Sequence, residues 1–286
     1  QCALMLAKMY PDLFEIVSVD SVQIYRGCDI GSAKLSVSDR CGIAHHLIDV
    51  CDVNERYTVA RFCYDAISAV KRIRSRGKIA LLVGGTFLYL EAFMHGLSPF
   101  ATVSTDAQQK THELLALGLD HAWKFLTAVD VESALRINQN DRSRLERALN
   151  VYFSTNKPMS YWRSQPRRKQ HDYLGHVVAI LPEDRAVLKV TLADRFDQML
   201  KHGLVDEVRS IQCQYPDLSS DLPSMRAIGY RQVLAYLCGE CDLALMRKDA
   251  IVATRRYLKR QLTWLRGMSG IAQTFHGHHA WSKHWS

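Results

Sequence analysis

Two short apolar runs end in residues able to do chemistry. Ile16, Val17 and Val19 lead into Asp20 within EIVSVDSVQIYRGCDIGSAK (15–34), and Ile79 to Val83 lead into Gly84, Gly85 and Thr86. A buried parallel strand delivers the residue after its end into a ligand crevice, so a carboxylate there is placed to take a proton from a substrate. The same aspartate is equally suited to capping the next turn, and both roles stand open for Asp20. Gly84 and Gly85 bare backbone N–H groups ahead of a helix and Thr86 adds a hydroxyl, a combination that favours a phosphate. A Gly-Gly turn made for close packing explains them as well. Because both follow strands at one sheet edge, Asp20 and Thr86 are expected to face one pocket.

The other chemistry-bearing groups are cations. In NDRSRLERALNVYF (140–153), Arg144 and Arg147 stand three apart, neighbours on one helical face beside Leu145, Leu149 and Tyr152. Guanidinium forks in that arrangement match phosphate oxygens, while Glu146 is free to pair with a neighbour instead. MRAIGYRQ (225–232) sets Arg226, Tyr230 and Arg231 about Gly229, cations and an aromatic suited to gripping a backbone and stacking on bases. Cys238 and Cys241 have the spacing of a metal pair, but no second pair or nearby histidine completes a tetrahedral set. Gly239 and Glu240 between them read as a helix-ending turn, and HGHHAWSKHW (276–285) reads as a polar, aromatic tail.

The elements that must hold Asp20 and Thr86 follow from periodicity. Thr58 is a plausible N-cap, and Val59, Phe62, Ala66, Val70 and Ile73 recur at helical steps until Gly77 stops them. Ile79 to Val83 then form a continuous, buried strand, and Thr86 opens a helix through Leu90 and Phe93. Strand, helix, strand, helix predicts a parallel α/β sheet. From residue 100 the chain turns polar and helical, with Leu114, Leu115, Leu126, Leu135, Leu145 and Leu149 in helical spacing: a helical insertion. HVVAILP (176–182) brings back a strand at which the sheet is expected to resume, followed by a helix around Leu192 to Leu204 that Gly203 helps close. Cys2 to Met9 look like a helix interior without a cap, so a strand is expected upstream of it.

With 286 residues, 48% of them apolar, the chain can bury a large core and is expected to form one big domain plus a smaller one. Its eight cysteines are scattered, as reduced thiols of a cytosolic protein would be, and neither a membrane span nor a signal peptide is indicated. The net charge of +8 points to a polyanionic partner. The cations are also grouped: Arg72, Arg74, Arg76 and Lys78 at one helix end, Arg167, Arg168 and Lys169 in a loop, and Arg255, Arg256, Lys259, Arg260 and Arg266 along a later helix. RNA or DNA is therefore the expected partner class.

Taken in order, SVDSVQIYRGCDIGSAK, LLVGGTFLY, SRLERALNVY, SMRAIGYRQ and LKRQLTWLRG resemble the signature segments of the tRNA dimethylallyltransferase (tRNA isopentenyltransferase) family over nearly the whole chain. The resemblance implies an α/β, parallel-sheet core of the P-loop nucleotide-hydrolase-like kind (1–99 and 170–286) with an all-helical, tRNA-binding insertion (100–169). It implies transfer of a dimethylallyl group from dimethylallyl diphosphate to N6 of the adenosine just 3′ of the anticodon, by a cytoplasmic, monomeric enzyme. In that scheme Asp20 is the general base toward the adenine amine, Ser21, Val22 and Gln23 surround the flipped-out base, and the Thr86 hydroxyl contacts the reacting centre or the diphosphate. Ser143, Arg144, Leu145, Glu146 and Arg147 form one tRNA-contacting segment, and Arg226, Ala227, Ile228, Gly229, Tyr230 and Arg231 another.

The family pattern also carries a glycine-rich loop ending in Gly-Lys-Ser/Thr just before the first helix. Gln1 is expected to follow it directly, so most groups for the diphosphate and its Mg²⁺ are expected upstream, with Lys34 a further phosphate contact; the segment alone is expected to be inactive. Three rivals remain: a P-loop kinase acting on a small nucleotide-like substrate, an isopentenyltransferase of free adenine nucleotides, and a non-catalytic RNA-binding protein. The first two need no broad basic surface, and the third leaves Asp20 and Thr86 idle.

Overall fold

The computed structural model describes residues 1–99, 103–268 and 270–277. Its elements run α1 (Cys2–Met9), β1 (Phe14–Val19), β2 (His45–His46), α2 (Val59–Ser75), β3 (Ile79–Gly84), α3 (Phe87–His95), α4 (Thr105–Ala116), α5 (Leu119–Val129), α6 (Val131–Arg136), α7 (Arg142–Thr155), α8 (Met159–Ser164), β4 (Val177–Leu181), α9 (Arg185–Lys201), α10 (Leu204–Gln214), α11 (Tyr230–Leu237), α12 (Leu243–Gly267) and β5 (Ile271–His276). The chain divides into two compact units, one of Gln1–Glu91 with the residues from Tyr173 onward, the other of Ala92–Asp172.

The first unit is α/β. Five consecutive residues of β1, from Glu15 to Val19, are buried, as its apolar run requires. β1 lies between β2 and β3 in a three-stranded parallel sheet. The β1–β3 register pairs Phe14 with Ile79 and ends with Val19 beside Gly84. Between them, α2 is capped by Thr58, whose hydroxyl accepts the Arg61 N–H, and buries Phe62, Cys63, Ala66, Ala69, Val70 and Ile73. Each of its larger apolar side chains contributes roughly 1.5–3 kcal/mol on burial. Gly77, at φ +76, supplies the left-handed residue that ends the helix.

Three expectations need correction. β3 is not buried throughout: Ile79, Val83 and Gly84 are exposed, because its only pairing among the described residues is with β1. β4 does not rejoin the first sheet but pairs in parallel with β5, a strand that includes His276 of the expected tail; residues 278–286 lie outside the described ones. The helix expected around Leu192 to Leu204 is α9, which stops before Gly203 (φ +95) as expected, but its bound falls short of Leu204, which starts α10. The turn after α11 is as expected, with Cys238 at the helix end and Gly239 at φ +75. All eight cysteines are free thiols.

The second unit is helical. α4 to α8 enclose Leu115, Ala122, Leu126, Ala134, Ile137, Leu145, Ala148 and Leu149. Asp130 pins two of its turns, one carboxylate oxygen accepting the Ser133 N–H and the other that of Ser160. Leu135 departs from the expected apolar row and stands in solvent, 83% exposed. Its helix α6 has only six residues, too few to present one continuous apolar stripe. Residues 100–102, where the insertion was expected to begin, lie outside the described ones. Among the described residues no helix is long and apolar enough to cross a membrane.

Candidate active site

The sheet register decides the site. With Val19 paired to Gly84, the chain leaves β1 and β3 side by side, and Thr86 donates its backbone N–H to the Val19 carbonyl at 3.2 Å. The Thr86 hydroxyl accepts the backbone N–H of Ser21 at 3.1 Å and lies 3.4 Å from the Ser21 hydroxyl. Asp20 sits between these contacts, half-buried. Its Oδ1 accepts the N–H groups of Val22 (2.8 Å) and Gln23 (3.1 Å). The capping role is therefore real, and it leaves room for the other: Oδ2 has no hydrogen-bond partner among the described residues. A carboxylate clamped by one oxygen and open at the second is oriented to accept a proton.

The Gly-Gly pair also resolves. A Cβ on Gly84 would lie 2.1 Å from the Val19 carbonyl oxygen, so close backbone approach requires glycine there. A Cβ on Gly85 would meet only the end of the Gln261 side chain. The Gly85 carbonyl accepts bonds from the Tyr257 hydroxyl (3.2 Å) and Gln261 Nε2 (3.1 Å), which dock α12 onto the loop. Burial, and next the charge of Asp20, push the Tyr257 phenol up. Burial also raises Tyr89, which stacks on Phe62 with ring centroids 4.5 Å apart and likewise feels Asp20. Both phenols thus stay protonated in the field of the Asp20 carboxylate.

Other expected site residues prove structural. Lys34 is no phosphate contact: its side chain is 4% exposed and its ammonium is committed to the Tyr25 carbonyl, Asp29 and Asp49. The Gln23 amide bonds Ser18 and the Ser32 carbonyl, so it braces its own loop. Tyr230 cannot stack on a base, because it is fully buried and donates to Glu207 at 2.6 Å. Leu145 is fully buried in the helical unit and cannot touch RNA. Gly229 is buried as well.

The exposed remainder of both segments is basic. Ser143, Arg144, Glu146 and Arg147 are exposed on α7, Arg144 with an ion pair to Asp141 at 3.4 Å, while Arg147 is set deeply enough that burial lowers its pKa. Arg226 and Arg231 are exposed around Ala227 and Ile228, while the buried Ser224 hydroxyl anchors that loop to the Val53 carbonyl. The first basic cluster is partly internal, since Arg76 and Lys78 pair with the buried Glu15 and Arg74 lies over the Tyr173 ring. Arg255, Arg256, Lys259 and Arg260 remain exposed along α12.

Tyr257, Gln261 and Glu207 are the residues that sequence reasoning passed over. Tyr257 and Gln261 carried a usable signal, an i, i+4 polar pair on an otherwise cationic helix. Glu207 carried none, being one of two acids in a first helical turn.

The model of the IPP transferase family matches residues 23–268. The tRNA dimethylallyltransferase of Halorhodospira halophila is 46% identical over 258 residues, 89% of this chain and 82% of that protein. Its counterpart from Coxiella burnetii is 43% identical over 268 residues, 92% of this chain and 84% of that one. In three dimensions the chain is similar to the full-length tRNA isopentenylpyrophosphate transferase of Bacillus halodurans, with a TM-score of 0.65, 31% identity, and coverage of 96% of this chain and 84% of that one.

Proposed function

The chain belongs to the IPP transferase family, and on that premise we propose that it is a prenyltransferase moving the dimethylallyl group of dimethylallyl diphosphate onto N6 of the adenosine 3′ of the tRNA anticodon. The observation that carries the chemistry is Asp20, fixed through Oδ1 and open at Oδ2 beside the Ser21–Thr86 hydroxyl pair. The adenine N6 attacks the allylic carbon, the carbon–oxygen bond breaks, and the diphosphate leaves with the bonding pair. Asp20 takes the N6 proton, and the Thr86 hydroxyl steadies the reacting centre. Ser21 and Val22 border the extruded base, a step such enzymes need to reach an atom otherwise held in the stack.

The core of the first unit then acts as a P-loop-like nucleotide fold, and the helical unit grips the anticodon stem-loop through Arg144 and Arg147, with Arg226 and Arg231 as a further backbone contact. Both are surfaces a phosphate chain would neutralise. Among the described residues no cluster of three or more His, Cys, Asp or Glu forms a metal cage. Mg²⁺ does not need one, because it keeps substrate phosphates and waters in its shell, and the Ser21 and Thr86 hydroxyls are hard oxygens suited to join them. When bound, it would neutralise the departing diphosphate. The enzyme acts in this reading as a cytoplasmic monomer.

Incubation of the full-length protein with labelled dimethylallyl diphosphate and either bulk tRNA or AMP tests the assignment. Label in tRNA alone is expected. Label in AMP alone would make the protein a free-nucleotide enzyme, and ATP-dependent phosphorylation without prenylation would make it a kinase.

A further inference from the structure

We propose that Glu207, on α10, is a positioning residue for the transfer, acting through the loop that carries Asp20. This rests on the prenyltransferase assignment. Glu207 Oε2 accepts the backbone N–H groups of Asp29 (3.1 Å) and Ile30 (2.6 Å), and Oε1 accepts that of Gly31 (3.2 Å) together with the Tyr230 hydroxyl (2.6 Å). Four donors converge on one side chain, and a carboxylate offers about four lone-pair sites to receive them. Glutamine has one acceptor oxygen and would turn its own N–H₂ toward groups that also donate.

Gly31 supplies an independent sign that this arrangement is built. A Cβ there would lie 2.5 Å from the Tyr230 ring and 2.9 Å from Leu204 Cδ1, so the absent side chain is what lets Tyr230 reach Glu207. The Tyr230 phenol is held strongly protonated, by burial above all, and so stays a donor.

The path to the carboxylate is short and made of named bonds. Ser32 follows the chelated residues; its hydroxyl donates to the Cys28 carbonyl, and its own carbonyl accepts Gln23 Nε2. The Gln23 backbone N–H in turn clamps Asp20 Oδ1. Loss of the Glu207 chelate frees residues 29–31, lets Gln23 drift, and loosens the cap that orients Asp20. Misplacement of a reacting group by about 1 Å can cost about 10²-fold in rate.

The test uses full-length wild type, Glu207→Gln, Glu207→Asp and Tyr230→Phe. Single-turnover prenylation of tRNA is followed alongside tRNA affinity and hydrogen exchange at the Val22 and Gln23 amides. Glu207→Gln is expected to lower the rate about 10- to 100-fold, with KM for dimethylallyl diphosphate and tRNA affinity nearly unchanged and with faster exchange at both amides. Tyr230→Phe removes one of four donors and should show the same pattern more weakly, so it decides the matter if Glu207→Gln does not fold. Glu207→Asp keeps the charge and should restore part of the rate. A variant that melts earlier but keeps wild-type rate and wild-type exchange at Val22 and Gln23 overturns the proposal. Wild type that leaves tRNA unlabelled would instead sink the prenyltransferase assignment, while the exchange measurement still judges the link from Glu207 to Asp20.

Discussion

The Thr86 hydroxyl accepts the backbone N–H of Ser21 at 3.1 Å, so the loop after β3 holds the loop after β1 at the residue next to Asp20. Sixty-five residues of sequence separate the two, and the parallel register of β1 with β3 brings them together. The hydroxyl therefore has a structural bond and a chemical face at once.

Thr86→Val keeps the shape and removes the acceptor. The Ser21 N–H then loses its partner at a half-buried position, which costs about 1 kcal/mol. Turnover should fall further than this stability loss suggests, by about 10- to 100-fold, because one donor to developing charge goes with it. Thr86→Ser, which retains the oxygen, should stay within a few-fold of wild type in kcat. Loss in Thr86→Ser with Thr86→Val near wild type would instead assign Thr86 to packing of its methyl group.

Asp20→Asn separates the two uses of the carboxylate. An asparagine oxygen can still accept the Val22 and Gln23 N–H groups, so the turn and the melting temperature should persist. The base is gone, and kcat should drop by about 10² to 10⁴ with tRNA affinity largely intact. Parallel loss of affinity would show that Asp20 shapes the tRNA surface instead.

What was legible in the sequence was local. Asp20, Thr58 and Thr86 sit where an apolar run or a helical period begins or stops, and such boundaries depend only on neighbours along the chain. What escaped depends on partners far away. Lys34 and Tyr230 have the residue types of ligand contacts, but Asp49 and Glu207 claim them first. Leu145 falls within an arginine-rich segment, and the helical period that turns those arginines outward turns Leu145 into the core. The pairing of β4 with β5 joins segments about 90 residues apart, and no local pattern announces it.

Gly84 and Gly85 should respond unequally to alanine. At Gly84 the new methyl meets a backbone carbonyl at 2.1 Å, which cannot move without parting β1 from β3. At Gly85 it meets the tip of Gln261, which can rotate away. Gly84→Ala should cost about 3 kcal/mol or more, at or above the upper end of the usual range for single substitutions. Gly85→Ala should fold with a small loss, and the released Gln261 should show in reduced turnover. Denaturant midpoints measured beside kcat check both, and equal stability losses would contradict the packing contrast.

Glu15 should give the fold an acid limit. Burial pushes its carboxyl up, but bonds from Arg76 (2.7 and 3.2 Å) and His46 (2.7 Å) outweigh this and hold it below its ordinary 4.5, with Lys78 at 3.8 Å. A carboxylate depressed in the folded state stabilises above its unfolded value. As pH falls below that value and through the depressed one, the unfolded chain binds the proton first and the stability is lost. Wild type should therefore lose stability between about pH 5 and pH 3, and Glu15→Gln should be flatter there while starting about 1–3 kcal/mol less stable near neutrality. Chemical denaturation across that range reads both; matching slopes would remove Glu15 as a source.

Arg144 tests the RNA surface without touching the chemistry. Its side chain is 68% exposed, and its one described ion pair, with Asp141 at 3.4 Å, is of the surface kind worth little to stability. Arg144→Gln should leave the melting temperature within error. If the side chain neutralises one tRNA phosphate, log Kobs against log salt should become shallower by about 0.7–0.9, and kcat at saturating tRNA should hold. An unchanged salt slope would place the bound tRNA away from this face of α7, and the tRNA grip would then have to be sought among the exposed cations of α12.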